Sequence, residues 1–537
     1  MPDWPAGNVC RPSLAIRWLR HARCGLAIAG LIALQACAVL PERGPATESR
    51  AVVDHQTALA RIAQASWPAG DAADSGFRLL PIADHAFAAR EDIARLAQRT
   101  LDAQYYHIHH DSAGATFLRS LRDAARRGVR VRLLVDDLHN AAIMPWLKSL
   151  AVEPGVEVRF FNPVPARRGD ALLRLLGSAD DFDRANRRMH NKLFIADNVL
   201  AVFGGRNIGD EYFARGGDAN FIDLDMLAAG RVVQDLSRVF DRYWNSEHAW
   251  PLADLERLPG QPALIQSSFE QDSARLALKV AVVPRDPLGQ TPVGEQLAAG
   301  RLALHWADAA VYADPPSKVM AAAVLDEPTA AMRGQMELIE SATSEVVLVN
   351  PYFVPSEQGL QLMAAARDKG IRGIFVTNSL GSTDEPLAYF YYSRKRSRML
   401  KLGMELYELS PTLPQRTQTL GSFGRSLARL HAKGGIIDNR WLLVGSVNLD
   451  ARSALLNTEM LVALDSPVLA QQARRLITGE QFLNMYRLSL DSDGLTTRWN
   501  WTDVDGTART STESPHFDGW IWLKLLLQSV FVNENLL

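Results

Sequence analysis

The stretch His190-Asn191-Lys192-Leu193-Phe194-Ile195-Ala196-Asp197, followed by Gly204-Gly205-Arg206-Asn207, decides the fold because the chain carries it twice. The second copy reads His431-Ala432-Lys433-Gly434-Gly435-Ile436-Ile437-Asp438, then Gly445-Ser446-Val447-Asn448. Positions 190 and 431, 192 and 433, 197 and 438, 204 and 445, and 207 and 448 are all the same 241 residues apart. Upstream, Gly155 through Pro163 matches Gly403 through Pro411 at a separation of 248. Earlier still, Ala125-Arg126-Arg127-Gly128-Val129-Arg130 matches Arg367-Asp368-Lys369-Gly370-Ile371-Arg372, with the two glycines 242 apart. Three blocks in one order at nearly constant spacing mean a duplicated domain. In each copy an amphipathic helical stretch precedes an apolar run, Val129 to Val135 and Ile371 to Val376. That is α/β alternation. The junction is expected near Pro284, Pro287 and Pro292, with the second copy beginning near residue 330.

The repeated stretch also makes chemical sense. Apolar runs on either side of Asp197-Asn198 read as a hairpin turn. His190 and Lys192 are two apart, so in a strand they share one face. Closing the hairpin brings Asn207 back beside His190. The second copy builds the same trio from His431, Lys433 and Asn448. Two trios across an interface supply two bases and two cations, which suits a phosphodiester. Lysines and asparagines hold non-bridging oxygens and stabilise developing charge. One imidazole attacks phosphorus while the other protonates the leaving alkoxide, which requires opposite protonation states set by neighbouring charges.

Composition narrows the class. At roughly 150 residues per domain, 537 residues allow three or four domains or two large ones. Hydrophobic residues at 47% and charged residues at 22% exclude wholesale disorder. The formal net charge of −2 offers nothing to nucleic acid, so any basic site must be local. The three cysteines, Cys10, Cys24 and Cys37, precede the body of the chain, which therefore holds neither a disulfide framework nor a Cys-ligated zinc site. An arginine-led segment (Arg11, Arg17, Arg20, Arg23), an apolar run from Gly25 to Leu34, and Leu34-Gln35-Ala36-Cys37 read as a secretory signal ending in a lipobox. Lipidation then falls on Cys37. The alternative is an uncleaved anchor from Cys24 to Leu40. Either way the body is held to a bacterial envelope membrane, facing the periplasm, with inner and outer membrane both open.

The two stretches resemble the signature of the phospholipase D superfamily, His-x-Lys-x4-Asp-x6-Gly-[Ser/Gly]-x-Asn, and the resemblance covers roughly residues 77 to 490. Gly204 through Phe213, Trp306-Ala307-Asp308 with Asp314-Pro315, and Arg498-Trp499-Asn500-Trp501 are similar to the bacterial cardiolipin synthase C-type branch. The resemblance implies duplicated α/β/α domains with mixed central sheets, related by a pseudo-two-fold, with one active site at their interface. It implies phosphatidyl transfer through a phosphohistidine, without metal or cofactor. His190 is then the nucleophile and His431 the general acid, with Lys192, Lys433, Asp197 and Asp438 completing the catalytic signature and Asn207 and Asn448 binding phosphate. Asp225 and Glu459 are expected to orient the imidazoles, because Asp225-Met226-Leu227 matches Glu459-Met460-Leu461. The first copy departs in carrying Gly205 where many relatives have serine. An aspartate at a turn commonly bonds nearby backbone, so Asp197 and Asp438 are expected to be structural although the signature includes them.

The expected organisation is an anchor or signal over 1–37, a linker over 38–76, a first domain over 77–255 (motif 184–211), an inter-domain segment over 256–329, a second domain over 330–490 (motif 425–452) and an extension over 491–537. Arg187, Arg188, Arg425 and Arg429 are either headgroup contacts or solvated faces. The run Arg394-Lys395-Arg396-Ser397-Arg398 is read as exposed charge. His107, His109 and His110 have metal-like spacing without an acidic cluster beside them. Trp520-Ile521-Trp522-Leu523-Lys524 begins either a core helix or an interfacial one. Phospholipids are the expected substrates, nucleic acid is not, and one chain carries a complete site. Two activities remain open: transfer making cardiolipin from two phospholipids, and hydrolysis giving phosphatidic acid. A nuclease is the third and weakest reading.

Overall fold

The computed structural model describes residues 40 to 534 apart from 46, 69–72, 165–181, 259–261, 277–285, 321–328, 413–425, 478–484, 504, 530–531 and 533. The lipobox with Cys37, Cys10 and Cys24, as well as Pro284 and Arg425, lies outside the described residues.

The first half runs β1 (Ser75–Leu80), α1 (Ala83–Leu96), β2 (Thr100–Tyr105), α2 (Ser112–Arg126), β3 (Arg130–Asp136), α3 (Met144–Ala151), β4 (Val156–Phe161), β5 (Leu193–Ala196), β6 (Leu200–Gly204), β7 (Ala219–Ile222), β8 (Asp225–Gly230) and α4 (Arg231–Trp244). The second runs β9 (His305–Ala313), α5 (Ala330–Glu340), β10 (Glu345–Val349), α6 (Glu357–Asp368), β11 (Arg372–Asn378), α7 (Pro386–Lys401), β12 (Glu405–Leu409), β13 (Leu427–Leu430), β14 (Gly434–Ile437), β15 (Trp441–Gly445), β16 (Met460–Asp465) and α8 (Pro467–Ile477). An extension adds β17 (Met485–Leu490), β18 (Thr497–Thr502), β19 (Ala508–Ser511) and α9 (Gly519–Gln528).

The duplicated blocks correspond to real joints. Asp111 caps α2 by accepting the Gly114 N–H, and Ser356 caps α6 by accepting the Gly359 N–H. Both helices end before a glycine at positive φ, Gly128 at 91° and Gly370 at 73°, where a Cβ would be strained. The chain then turns into the parallel strands β3 and β11. Each half forms a mixed sheet of the same order: β1-β8-β6-β5-β2-β3-β4 and β9-β16-β15-β14-β10-β11-β12, with only the last three strands of each parallel to one another.

By sheet order the second half begins with β9, inside the segment read from sequence as inter-domain, in the place that β1 holds in the first half. Its first strand also pairs antiparallel with β1, Phe77 opposite His305, and so stitches the two sheets together. The sequence of β9, His305-Trp306-Ala307-Asp308, has no visible likeness to that of β1, which hid the correspondence.

Three apolar cores follow from this layering. One lies under α1, α2 and α3, and another under α5, α6 and α7. The third contains residues of both sheets together with α4 and α8, and it clamps the halves together. Two short parallel pairings also cross between halves. β13 pairs with β7, Leu430 opposite Ile222, and Met189 bridges Thr458. Each leads directly into a motif histidine.

Candidate active site

His431 follows Leu430 on β13, and Asp223 follows Ile222 on β7. The same arrangement, with the halves exchanged, puts His190 after Met189 and Glu459 after Thr458. The backbone N–H of His431 donates to Ile222 O at 2.8 Å, and that of His190 to Thr458 O at 2.9 Å. Sheet-like pairing between halves therefore sets each histidine beside an acid from the other half. His190 Nδ1 is 3.0 Å from Glu459 Oε2, and His431 Nδ1 is 2.6 Å from Asp223 Oδ2. A bond at Nδ1 fixes the tautomer and leaves Nε2 for chemistry. Both imidazoles are buried, at 7% and 4% exposure.

Electrostatics assigns the charge. Burial lowers His190 to about 4, with Glu459 pulling the other way and Lys192 and Lys433 adding to the depression. Burial and Lys433 depress His431 against the pull of Asp223. Burial alone would raise both acids, but the imidazoles and lysines outweigh it; Glu459 is lowered and Asp223 sits at about 2. These directions favour a carboxylate beside a neutral imidazole in each pair. Lys433 is held at about 8 by burial, and Lys192 falls well below the ordinary range for the same reason. The Lys433 charge lowers both His190 and Lys192 across the interface, so the two trios share one electrostatic volume. The Lys192 and Lys433 ammonium groups each donate to the backbone oxygen of their own histidine at 2.6 Å.

The asparagines complete the trios. Asn207 Nδ2 donates to Tyr212 Oη at 3.1 Å. The Oδ1 atoms of Asn207 and Asn448 are buried without a partner. An unmatched buried polar atom costs about 1–3 kcal/mol; these oxygens only accept, so they suit a donor such as a lipid hydroxyl, while a phosphate oxygen needs the amide Nδ2 groups.

Asp225 does not orient an imidazole. Its carboxylate lies 2.9 Å from Arg90 and 3.3 Å from Arg206, buried between two guanidinium groups. The correction is one of register. Gly204 faces Asp225 across β6–β8, and Gly445 faces Leu461 across β15–β16. Asp225 therefore corresponds to Leu461, and Asp223 to Glu459. Matching the Met-Leu pairs slipped the repeat by two residues, a slip that leaves every side chain on its own face.

Asp197 and Asp438 stand away from the trios. Each occupies the first position of a two-residue turn, φ 51° and 53°, followed by Asn198 and Asn439 at 56° and 52°. Two consecutive positive φ values are those of a type I′ hairpin. The Asp197 carboxylate accepts the N–H groups of Gln98, Arg99 and Thr100 at 2.7–3.1 Å. The Asp438 carboxylate takes those of Thr343, Ser344 and Glu345 at 2.8–2.9 Å. These aspartates tie the hairpins to the starts of β2 and β10, and the geometry is that of a brace.

The remaining basic residues divide. Arg188 is buried in an ion pair with Asp136 at 3.2 Å, and Arg187 donates to Lys318 O and Leu455 O. Arg429 is half-buried beside the site. In the basic run of α7, Arg396 is buried against Glu408 at 2.8 Å, while Lys395 and Arg398 pair with Glu534 and Glu357. That run is therefore not simply exposed charge. His107 and His109 lie with ring centres 3.8 Å apart and planes tilted by 33°, and His110 stacks on Trp146; among the described residues no group of three or more metal-capable side chains gathers.

Sequence reasoning missed the tyrosines. Tyr106, just beyond β2, lies edge-on to His190 at 5.3 Å and under the Lys192 ammonium at 5.5 Å. Tyr352, beyond β10, holds the matching place against His431 at 6.4 Å and Lys433 at 5.8 Å. Tyr212 packs on His431 at 5.1 Å. In register Tyr352 corresponds to His107 and Tyr106 to Pro351, so laying the two copies together does not pair the tyrosines.

Known proteins match this arrangement. The family model described as "Cardiolipin synthase, PLD-like domain" matches residues 92–244 and 336–479, one block in each half. Cardiolipin synthase C of Escherichia coli strain K12 is 38% identical over 427 residues, 78% of this chain and 86% of that protein. Cardiolipin synthase A of Pseudomonas fluorescens is 26% identical over 73% of this chain and 66% of its own length. Among solved structures, the phosphatidylserine synthase of Haemophilus influenzae Rd KW20 superposes with a TM-score of 0.54 at 14% identity, covering 86% of this chain and 95% of that one, and so shares the fold. With both halves matched and the imidazole–carboxylate pairs crossing between them, the chain belongs to the cardiolipin synthase, PLD-like domain family.

Proposed function

We propose that the protein is a phosphatidyltransferase that makes cardiolipin from two phospholipids through a phosphohistidine on His190. The observation that carries the reading is the crossed pair of imidazoles, each held at Nδ1 by a carboxylate of the other half. Neutral His190, with its proton on Nδ1, has a lone pair on Nε2. That nitrogen bonds to phosphorus as the bond from phosphorus to the headgroup oxygen breaks. His431, neutral in the empty site, gains its proton when an anionic phosphodiester raises its pKa, and it delivers that proton to the departing oxygen. Lys192, Lys433, Asn207 and Asn448 hold the non-bridging oxygens. In the second step neutral His431 takes the proton of a lipid hydroxyl. The hydroxyl oxygen attacks phosphorus and releases His190.

Hydrolysis to phosphatidic acid uses the same residues with water as the acceptor. The relatives named cardiolipin synthase favour a lipid acceptor. A net charge of −2 gives a nuclease reading no support. One chain supplies both halves of the site.

Membrane association is part of the same proposal. Among the described residues no helix is long and apolar enough to cross a membrane. The short helix α9 is capped by Asp518 and presents Trp520, Leu523, Leu526 and Leu527 outward, with Trp520 76% exposed. An exposed tryptophan–leucine face suits the surface of the bilayer that holds the substrates. Lipid on Cys37 adds a second anchor and places the body in the periplasm.

The test is product analysis by mass spectrometry with vesicles of phosphatidylglycerol and phosphatidylethanolamine. Cardiolipin and free ethanolamine are expected, with activity surviving chelator treatment. Phosphatidic acid as the main product assigns hydrolysis instead. Loss on chelation with return on adding zinc or magnesium overturns the mechanism. Cys37→Ser should abolish incorporation of labelled fatty acid into the protein, and persistent labelling removes the lipoprotein reading.

A further inference from the structure

The two halves differ in how their outer helices close over the sheet. In the first half α1 lies directly against α2. The small residues Ala86, Ala89 and Ala94 of α1 allow the close approach, and Leu118 and Leu121 of α2 are fully buried. The equivalent helices of the second half, α5 and α6, flank a groove of about 760 Å³. Protein interiors are close-packed, with few voids larger than a water molecule. A space of this size falls in the roughly 300–1,000 Å³ range of ligand sites.

The groove is apolar where it is deep. Val346, Leu348 and Phe375 of the sheet form its floor, and Met332 and Met336 of α5 face Leu362 and Met363 of α6. Methionine is unbranched and polarizable, and it suits a surface that must fit a flexible apolar occupant. One end of the groove adjoins the second motif in the chain. Leu449 and Asp450, which line it, directly follow Asn448, and Leu449 bridges Phe353 on the groove wall. Charged side chains, Glu357 and Lys369 among them, edge the groove where it meets solvent.

We propose that this groove between α5 and α6 takes one acyl chain of a phospholipid whose phosphodiester sits between the two histidines. The proposal rests on the phosphatidyltransferase reading and adds where the substrate's apolar part goes. A phosphodiester held at Asn448 leaves its glycerol within a few bonds of Leu449. An acyl chain running from there into the groove exchanges water for methionine and leucine. In the first half α1 and α2 pack against each other across the equivalent space, so this subsite distinguishes one of the two lipids. An occupant from the chain itself is the competing outcome, and the test distinguishes it.

The probe is phosphatidylglycerol with a photoreactive diazirine at the middle of one acyl chain, presented in vesicles to the full-length protein. After irradiation, cross-links should map to peptides containing Met332 and Met336 or Leu362 and Met363. Unlabelled long-chain phosphatidylglycerol should compete, and the dihexanoyl lipid should not. Met336→Trp and Met363→Trp fill the groove and should lower labelling at least fivefold. The same variants should lower kcat/KM for long-chain substrate at least tenfold while leaving dihexanoyl substrate within twofold. Absence of label from these peptides overturns the proposal, as does an unchanged chain-length preference in the filled variants. Labelling needs no turnover. A labelled groove without cardiolipin formation would sink the transferase reading alone, and cardiolipin formation with an unlabelled groove would sink only this one.

Discussion

The two imidazole–carboxylate pairs have the same backbone and different chemistry around the acid. Glu459, which holds His190, is fixed by the hydroxyls of Ser446 at 2.5 Å and Ser453 at 2.6 Å. Asp223, which holds His431, is one methylene shorter and accepts the Leu224 N–H at 2.8 Å. Where the second half has Ser446, the first has Gly205, and a Cβ there would stand 2.1 Å from Asp223 Oδ1. The shorter acid thus occupies the room that a serine would take. Duplication supplied two histidines of one kind, and in the proposed mechanism these differences separate the nucleophile from the acid.

The largest effect should come from removing either ring. His190→Ala and His431→Ala should each lose at least about a hundredfold in turnover, the scale of acid–base and nucleophilic groups. Mixing the two variants should restore nothing, because each site draws on both halves of one chain. Near-normal rates in either variant, or recovery on mixing, would break the shared-site comparison.

A smaller effect should separate the two aspartates. Asp223→Asn removes the charge that holds His431 and should lower kcat at least about tenfold with the melting temperature nearly kept. Asp225→Asn strands Arg90 and Arg206 in the interior. It should destabilise the fold by about 3–5 kcal/mol, as breaking a buried pair does, and affect kcat mainly through the folded fraction. Denaturant titration beside initial rates measures both. The reverse pattern would restore Asp225 as the orienting acid.

That pair of residues also shows where sequence reading stops. The histidine, lysine and asparagine of each motif were legible because fixed spacing in a hairpin determines their shared face. Glycines at helix ends, such as Gly128 and Gly370, were legible for the same local reason. Glu459 was found by likeness of neighbours, and the same likeness misled at Asp225 because a strand repeats every two residues. Asp223 is identified only by pairing across halves, β13 on β7, which no local pattern records. β9 escaped for a similar reason, since its place depends on two partners remote in sequence. Tyr106 and Tyr352 lie just past strand ends, where periodicity has already stopped.

The serine and glycine can be exchanged to sharpen the contrast. Ser446→Ala removes one charge-assisted hydrogen bond from Glu459, worth about 1.5 kcal/mol. Turnover should fall about tenfold, with KM little changed. Gly205→Ser should do at least as much harm, since its Cβ meets Asp223 at 2.1 Å and must displace it. Equal tolerance of serine at both positions would mean that the two acids are held alike.

The smallest effect is in acid stability, and it tests whether His190 is buried neutral. In the unfolded chain His190 takes a proton near its ordinary value of about 6.5, whereas in the fold burial and the two lysines hold it at about 4. The unfolded state therefore binds more protons across that window, and stability falls as pH drops. The contribution is whole above about 6.5 and is lost progressively as pH falls through 4. At pH 5 the difference is at most about 2 kcal/mol, from about 1.36 kcal/mol per pH unit. Asp223 acts lower: it begins to lose its contribution only below its ordinary 3.8, toward about 2. Urea titrations at pH 7.5 and pH 5.0 span this window; Asp450, which burial raises to about 7, titrates there with the opposite sign, so the histidine's share is read by comparing wild type with a His190 variant. His190→Asn, whose amide can still donate to Glu459, should lose less stability between the two pH values than the wild type does. If its loss equals that of the wild type, His190 is protonated in the folded state at pH 5, and the nucleophile must shed a proton before it can attack.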